Sequence, residues 1–503
     1  MSAAGAEPSA GGVRLKRVVA RLDAEGLLVS APPGDAVLSG ISDDSRQVES
    51  GHLFCAWAGT AMDSHRFVPA AASAGAAAAL VERRVDESPL PQVIVRDGRR
   101  AAAVAAALVF GEPARRLTLV GVTGTNGKTT TAWLLRHLLA ASAPAAFIGT
   151  LGMIVEGRTP LPGTEALTTP GPVDLARRFR ELVDRGVRAA ALEVSSHALE
   201  QGRVDALRFH AAVFTNLTRD HLDYHGTEAA YLAAKRKLVG LLREDGVAVL
   251  NADDPAWAGL ERAAPRAVRF GTESPDADVR ATDVRTDAAG ARFRLTTPAG
   301  SAAVVLPLLG AFNVQNALGA AAACHALGMA PATVAARLAS APQVPGRLER
   351  IAGHPCPVLT DYAHTPDALG RALAALRPLA SGRLIVVFGA GGDRDRGKRP
   401  LMGAVVLRGA DLAIVTSDNP RTEDPERIID EIVAGMAGRA YVRERDRRQA
   451  IALALAEAKP GDLVLLAGKG HETYQVVGTE KIPFDERAIV QAWLDEHGAE
   501  VET

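Results

Sequence analysis

Gly124-Thr125-Asn126-Gly127-Lys128-Thr129-Thr130 gathers glycines, an amide, a lysine and hydroxyls in one short stretch. That set suits a polyphosphate. Loop amides and a helix N-terminus present partial positive charge, Lys128 adds a full charge, and the Thr129 hydroxyl can hold Mg²⁺. The P-loop pattern asks for glycine five residues before Gly127, where Val122 stands, and Gly121 falls one place early. A glycine loop with no ligand is the bland alternative. Gly-Lys-Thr-Thr set between an apolar run and a helical pattern argues against it, so the chain is expected to bind ATP or GTP.

Other reactive side chains stand after short apolar runs. Glu193 ends one such run and is followed by Ser195-Ser196-His197. A carboxylate at a strand end beside a nucleotide loop is placed to serve Mg²⁺. The run Thr218-Arg219-Asp220-His221-Leu222-Asp223-Tyr224-His225 is rich in hard oxygen donors, which favour Mg²⁺ near phosphates over zinc. Lys235 falls near the middle of an apolar helical stripe made by Tyr231, Leu232, Leu238, Val239 and Leu242, whereas Lys237 falls on the far side. A lysine on a buried face loses hydration and its pKa drops. Its free amine can then bind a proton, form a Schiff base or take up CO₂ as a carbamate. Periodicity alone favours a snorkelling lysine instead.

Toward the C-terminus, Gly389-Ala390-Gly391-Gly392-Asp393-Arg394 half-imitates a dinucleotide fingerprint, with Arg394 at the third glycine position. Arginine there suits an anion better than a nicotinamide cofactor. Asp418-Asn419-Pro420-Arg421 and Gly468-Lys469-Gly470-His471-Glu472 follow the next apolar runs. Carboxylate, amide and guanidinium together fit a ligand bearing both carboxylate and ammonium groups, such as an amino acid.

The elements that must position these residues follow an α/β rhythm. Leu117–Val120 reads as the strand before the phosphate loop, and Thr131–Ala140 as the helix after it. Strands are expected at 53–57, 189–192, 211–214, 247–250, 384–388, 412–415 and 463–466, with a helix that runs into a further strand over 69–81 and an antiparallel insertion over 276–305. In open α/β sheets ligands sit beyond the carboxyl ends of the strands, where all of these loops fall. Pro113-Ala114-Arg115-Arg116 reads as a linker and Pro345-Gly346 as a second boundary. The expected domains are therefore residues 1–113, 114–344 and 345–503.

The 503 residues suffice for roughly three domains. Charge is balanced, 57 Lys+Arg against 58 Asp+Glu, which gives no support to a nucleic-acid footprint or a polybasic membrane tether. Cys55, Cys324 and Cys356 are far apart and suggest neither a disulfide framework nor a zinc ribbon. The N-terminus lacks the order of a signal peptide, and no window reaches the ~18 apolar residues of a membrane span. A reducing cytoplasm is expected.

With Gly124–Thr129, Glu193–His197, Asp220–Asp223, Gly346-Arg347-Leu348-Glu349, Asp361-Tyr362-Ala363-His364 and Asp418–Arg421 in view, the chain resembles the Mur ligases from about Ser42 to Glu472. The resemblance implies a smaller α/β N-terminal domain that holds a uridine nucleotide, a central P-loop ATPase-like parallel sheet and a Rossmann-like C-terminal domain. It implies ATP-dependent amide synthesis through an acyl phosphate. The product would join meso-diaminopimelate to the D-Glu carboxylate of UDP-N-acetylmuramoyl-L-Ala-D-Glu, without nucleic acid or membrane insertion, in a monomer. Family members that add L-lysine or D-Ala-D-Ala, and more distantly a P-loop kinase or GTPase, are the alternatives; no Asn-Lys-x-Asp guanine motif is present.

By the same resemblance Ser45 and Thr60-Ala61-Met62 would meet the UDP-sugar. Thr168, Thr169, Ser195, Gln201 and Arg203 would line the path of the muramoyl dipeptide. Gly124–Thr130, Asn316, Arg347 and Asp361 would hold ATP. Thr129, Glu193, His221 and a carbamylated Lys235 would serve Mg²⁺, with Lys128, Glu193, His221 and Lys235 carrying catalysis. Arg394, Asp418, Asn419, Pro420, Arg421, Gly468 and Glu472 would take the amino acid. The chain departs from some relatives at Leu167, where they carry Asn, and at Thr60-Ala61-Met62, where they carry His-Gln-Ala.

Overall fold

The apolar runs Thr118–Thr123, Ala189–Glu193 and Phe209–Phe214 are strands buried along nearly their whole length, as parallel strands covered on both faces must be. The computed structural model describes residues 12–59, 62–164, 167–351 and 356–497; Thr60 and Ala61 lie outside the described residues. The chain divides into two units. The first runs to Ala281 and also takes in Leu295–Ala302 and Gln315–Arg337. The second comprises Thr282–Arg294, Ala303–Val314 and the chain from Leu338 onward.

In the first unit the main sheet runs in the spatial order Gly152–Ile154, Ala145–Gly149, Ala189–Glu193, Thr118–Thr123, Phe209–Phe214, Leu242–Asn251, Arg266–Gly271. All neighbours are parallel except the first pair. The chain starts in the middle of this sheet, builds one side and then crosses to the other. Thr118–Thr123 therefore stands at the switch point, where open α/β sheets take their ligands beyond the carboxyl ends. Register places Glu193 beside Val122 and Phe214 beside Thr123, so the phosphate loop, Glu193 and the segment after Phe214 emerge along one edge. Helices Lys128–Leu139 and Pro172–Asp184 cover the sheet; the second carries Pro172 at its start and Asp174 in its first turn, both favourable at a helix N-terminus. Leu119, Phe179, Leu192, Phe209, Phe214, Leu250 and Trp257 belong to the core beneath the second of these helices.

The N-terminal portion has its own sheet, in the order Leu28–Ser30, Gln92–Val95, Ala78–Val81, His52–Cys55, Gly40–Ser42. Helices Leu15–Ala24 and Gly98–Val109 close its core through Val18, Leu22, Ala105 and Val109. Asp97 caps the second of these by accepting from Arg100 N at 2.9 Å.

The second unit holds a sheet in the order Glu349–Ile351, Val358–Asp361, Leu463–Ala467, Leu384–Phe388, Leu412–Val415, Val442–Arg443. Helices Pro366–Leu376, Lys398–Gly409 and Pro425–Val433 pack against one face, and Arg447–Glu457 and Glu486–His497 against the other. The loops that begin at Gly389, Thr416 and Gly468 all leave neighbouring strand ends.

Several elements differ from the sequence reading. The helix after the phosphate loop begins at Lys128, not Thr131, so Lys128, Thr129 and Thr130 form its first turn. Val122 occupies the expected glycine position because the strand continues through Thr123 and the turn starts only at Gly124. Pro113–Arg116 is a 3₁₀ turn with Pro113 buried rather than an open linker. The stripe read around Lys235 is not one helix. Glu228–Arg236 is α-helical, Lys237–Leu241 is a 3₁₀ turn containing Gly240, and Leu242 opens a strand. The 276–305 region forms three strands, Val279–Asp287, Gly290–Thr297 and Gly300–Leu306. Cys55, Cys324 and Cys356 are buried thiols outside any disulfide. Among the described residues no helix is long and apolar enough to cross a membrane.

Candidate active site

The phosphate loop is shaped by two glycines that need their own backbone. Gly124 has φ 149° and Gly127 φ 83°. A Cβ on Gly124 would collide with Thr215 Oγ1 and stand 3.0 Å from Asn216 O, while one on Gly127 would collide with Asn316 Oδ1. The segment after Phe214 braces the loop from below. Thr125 N donates to Asn216 O at 2.7 Å, Asn126 N to Asn216 Oδ1 at 2.9 Å, and Thr215 Oγ1 to Asn126 O at 2.7 Å. Gly124→Ala should therefore lower stability by ~2 kcal/mol, since both φ and space forbid the methyl group. Thermal unfolding checks this; an unchanged melting temperature would mean that the brace yields.

Lys128 Nζ donates to Gly124 O at 3.0 Å and to Thr125 O at 2.8 Å, so its charge lies over the loop. Thr129 and Thr130 are buried in the first helical turn. Lys235 Nζ reaches the same loop from the other side, donating to Gly124 O at 2.7 Å. Lys235 is 1% exposed and lies over the Tyr231 ring at 4.6 Å. Burial, with Lys128 nearby, holds its ammonium well below the ordinary lysine range against the opposing pull of Asp220. The buried-face reading thus holds even though the helix ends one residue later.

At the adjacent strand end Glu193 is fully buried, and its carboxylate accepts from Thr150 N at 3.0 Å and from Thr150 Oγ1 at 3.3 Å. Thr150 and Thr168 share a hydroxyl contact at 3.1 Å. Thr169 Oγ1 donates to the Glu193 carbonyl at 2.9 Å and accepts from Ser195 N at 3.1 Å. Arg203 donates to Thr169 O at 2.8 Å and to Gln201 Oε1 at 2.7 Å. Thr168, Thr169, Ser195, Gln201 and Arg203 thus form one connected polar wall beside Glu193. Ser45 opens a short 3₁₀ turn capped by Asp44, while Met62 and Leu167 are exposed.

His221 stands in the left-handed region at φ 53°. Its ring lies 4.8 Å from His197 and 6.2 Å from Tyr231, centroid to centroid. His197 also meets the Tyr224 ring in a tilted contact at 4.2 Å, and His225 accepts or donates a hydrogen bond with Ser196 Oγ at 3.0 Å. Burial, with His221 and His225 alongside, pushes His197 down to about 4. Burial lowers the His221 pKa at the loop rim, with Lys128 and Lys235 adding to the shift against the pull of Asp220 and Asp223.

In the second unit, Asp361 accepts from Leu348 N at 2.7 Å and Ala363 N at 2.8 Å, and its carbonyl accepts from Gly468 N at 2.9 Å. Burial raises the Asp361 pKa, and Arg347 works against that shift. The Arg347 guanidinium lies 4.7 Å over the Tyr362 ring. Asn419 Nδ2 donates to Glu472 Oε2 at 2.9 Å. Gly468, at φ 118°, leaves 3.1 Å between a notional Cβ and Asp418 Oδ2. Arg421 follows Pro420 and is itself left-handed at φ 52°, with its backbone pinned on Val476 O and Gly478 N. Its guanidinium donates to Gly392 O at 2.7 Å. Arg394 lies exposed in the bend after Gly392.

Sequence reasoning missed three participants. Tyr231 OH lies 3.1 Å from Thr125 Oγ1, a link no short-range pattern reveals. His197 belongs to the ring cluster around His221. Lys469 is fully buried amid Asp418, Asn419 and Glu472, so the two carboxylates and the amide already share an internal cation. The only sequence signal for Lys469 was its place between two glycines after a strand.

The Mur ligase middle domain family matches residues 122–324, and the Mur ligase glutamate ligase domain family matches residues 346–470. The UDP-N-acetylmuramoyl-L-alanyl-D-glutamate–2,6-diaminopimelate ligase of Geobacillus kaustophilus (strain HTA426) is 46% identical over 92% of this chain and 96% of its own. That of Gloeobacter violaceus (strain ATCC 29082 / PCC 7421) is 47% identical over 90% and 93%. A solved structure bearing the same ligase name superposes with TM-score 0.66 at 36% identity, over 92% of this chain and 96% of its own. The MurF ligase of Thermotoga maritima in complex with ADP shares the fold, with TM-score 0.64 at 20% identity over 92% and 98%.

Proposed function

This chain belongs to the Mur ligase family, and from that premise we propose that it joins meso-diaminopimelate to the D-Glu carboxylate of UDP-N-acetylmuramoyl-L-Ala-D-Glu, driven by ATP. The observation that carries the reading is the single sheet edge on which Lys128, Lys235, Glu193 and the Thr168–Arg203 wall meet. Phosphate-binding groups and a polar substrate track adjoin there. The substrate carboxylate attacks the γ-phosphorus of ATP, ADP leaves, and an acyl phosphate results. The amine of the amino acid then attacks the acyl carbon, an amine proton is lost, and phosphate departs.

Like charges meet in the first step, so preorganised cationic groups carry most of the stabilisation. Lys128 and the first turn of its helix supply them. Thr129, Glu193, His221 and a carboxylated Lys235 would hold Mg²⁺, whose charge would neutralise phosphate oxygens. The hydroxyl of Thr129 and the carboxylate of Glu193 are the hard oxygen donors that Mg²⁺ prefers. Among the described residues no three His, Cys, Asp or Glu gather into a cage.

Residues 1–113 are assigned to the uridine nucleotide, through Ser45 and Met62, residues 114–344 to ATP and residues 345–503 to the amino acid. A nucleotide-linked precursor and ATP place the reaction in the cytoplasm. Mass spectrometry of the product formed from ATP, the nucleotide dipeptide and a panel of amines tests the assignment. Equal ligation of L-lysine and diaminopimelate would sink the proposed specificity.

Diaminopimelate exceeds lysine by one carboxylate, and Arg421 is the cation proposed to grip it, a planar fork suited to two hydrogen bonds. Arg421→Ala should raise KM for diaminopimelate roughly ten- to a hundredfold, the worth of a hydrogen bond to a charged partner. KM for ATP and for the nucleotide substrate should stay near wild type. Steady-state kinetics with each substrate varied in turn check this, and an unchanged diaminopimelate-to-lysine ratio would remove Arg421 from the site.

A further inference from the structure

Lys469 follows the strand Leu463–Ala467 and is turned fully inward, with none of its surface exposed. Its Nζ donates to Asn419 Oδ1 at 3.1 Å and to Glu472 Oε2 at 3.2 Å. Asp418 Oδ1 stands 3.6 Å away, beyond hydrogen-bond length, and is buried without a hydrogen-bond partner. Asp418 as a whole is 5% exposed. Asn419 Oδ1 also accepts from Val476 N at 2.9 Å, and Asn419 Nδ2 donates to Glu472 Oε2, so the amide is fixed at both ends. The rings of Tyr474 and Phe484 each lie 6.0 Å from the ammonium, walling it from water.

A lysine at this depth does not solvate itself, and a buried cation persists only when paired and hydrogen-bonded. Here one ammonium faces two carboxylates. The cluster therefore keeps one negative charge in surplus, and its unsatisfied lone pairs sit on Asp418 Oδ1. Taken with the assignment of this loop cluster to the amino acid, we propose that Lys469 is a positioning residue that fixes Asn419 and Glu472 and leaves Asp418 to receive one ammonium group of the incoming amino acid. A cluster without Lys469 would carry two negative charges and an unpinned amide. A cluster with a second fixed cation would repel the ligand. The arrangement selects a ligand group of single positive charge, while the far carboxylate of the ligand falls to Arg421.

The proposal rests on the ligase reading, and the two fail separately. Wild-type enzyme given ATP and the nucleotide dipeptide without amine should release ADP in a single turnover; no ADP at all would sink the ligase reading itself. Lys469→Met, which keeps the length of the side chain, should retain that ADP burst and the KM for ATP. Its KM for diaminopimelate should rise roughly ten- to a hundredfold. The double variant Lys469→Met/Glu472→Gln removes one carboxylate along with the cation and should lose less than the two single variants combined. An unchanged KM for diaminopimelate, a burst lost in parallel with ligation, or strictly additive losses would each overturn the proposal.

Discussion

Lys128→Ala is expected to abolish ligation while the protein stays folded. The side chain is only half-buried and its Nζ is held by two loop carbonyls, so truncation empties no core. What is lost is the one full positive charge standing on the loop itself. When a carboxylate approaches a triphosphate, that charge is worth more in the transition state than in the bound ground state. Removing a single oxyanion donor in other enzymes costs about a hundred- to a thousandfold, and a formal charge in a partly desolvated site should cost at least that. The expected kcat/KM therefore falls by about a thousandfold or more, with a melting temperature within a few degrees of wild type. Initial rates of phosphate release, paired with thermal unfolding, check both halves. Turnover near wild type in this variant would end the phosphate-cradle reading and the mechanism built on it.

The phosphate edge was legible in the sequence because its signals are local. A buried strand needs an apolar run, a tight turn needs Gly124 and Gly127, and the helix that follows needs its own periodicity. The wall of Thr168, Thr169, Ser195, Gln201 and Arg203 came from the family likeness, since residues so far apart touch only through sheet register. Helical spacing placed Lys235 on an apolar face, because one turn suffices to assign a face even where the helix stops at Arg236, but spacing alone favoured a snorkelling side chain over the buried one found. The inward turn of Lys469 was not readable. A glycine-flanked loop has no period, and the three partners of Lys469 come from two different strand ends. Nor was the left-handed backbone of Arg421, which is imposed by hydrogen bonds to the Tyr474–Val477 strand and Gly478 and not by its own residue type.

Lys235 yields the second large effect. Its amine is buried, touches Gly124 O and the Tyr231 face, and has its ammonium form disfavoured first by burial and then by Lys128. A neutral amine attacks CO₂ at carbon, forming an N–C bond and losing one proton, and the carbamate carries the negative charge on oxygen. The pH sense follows. As pH falls through the depressed folded pKa the amine protonates and cannot hold CO₂, so activity should fall on the acid side and recover with added bicarbonate. Between that folded pKa and the ordinary lysine value of about 10.4, the unfolded chain binds a proton that the unmodified folded chain does not, so stability of the unmodified protein rises with pH. Lys235→Ala should cut kcat by about a hundredfold or more through loss of a charged group at the reacting phosphates. Its stability should change by only ~1–2 kcal/mol, because the lost methylenes are partly offset by relief of a buried amine. Enzyme equilibrated with ¹³C-bicarbonate should show a carbamate resonance that is absent from Lys235→Ala. Full activity after rigorous CO₂ removal, together with no such resonance in the wild type, would return Lys235 to an ordinary buried lysine.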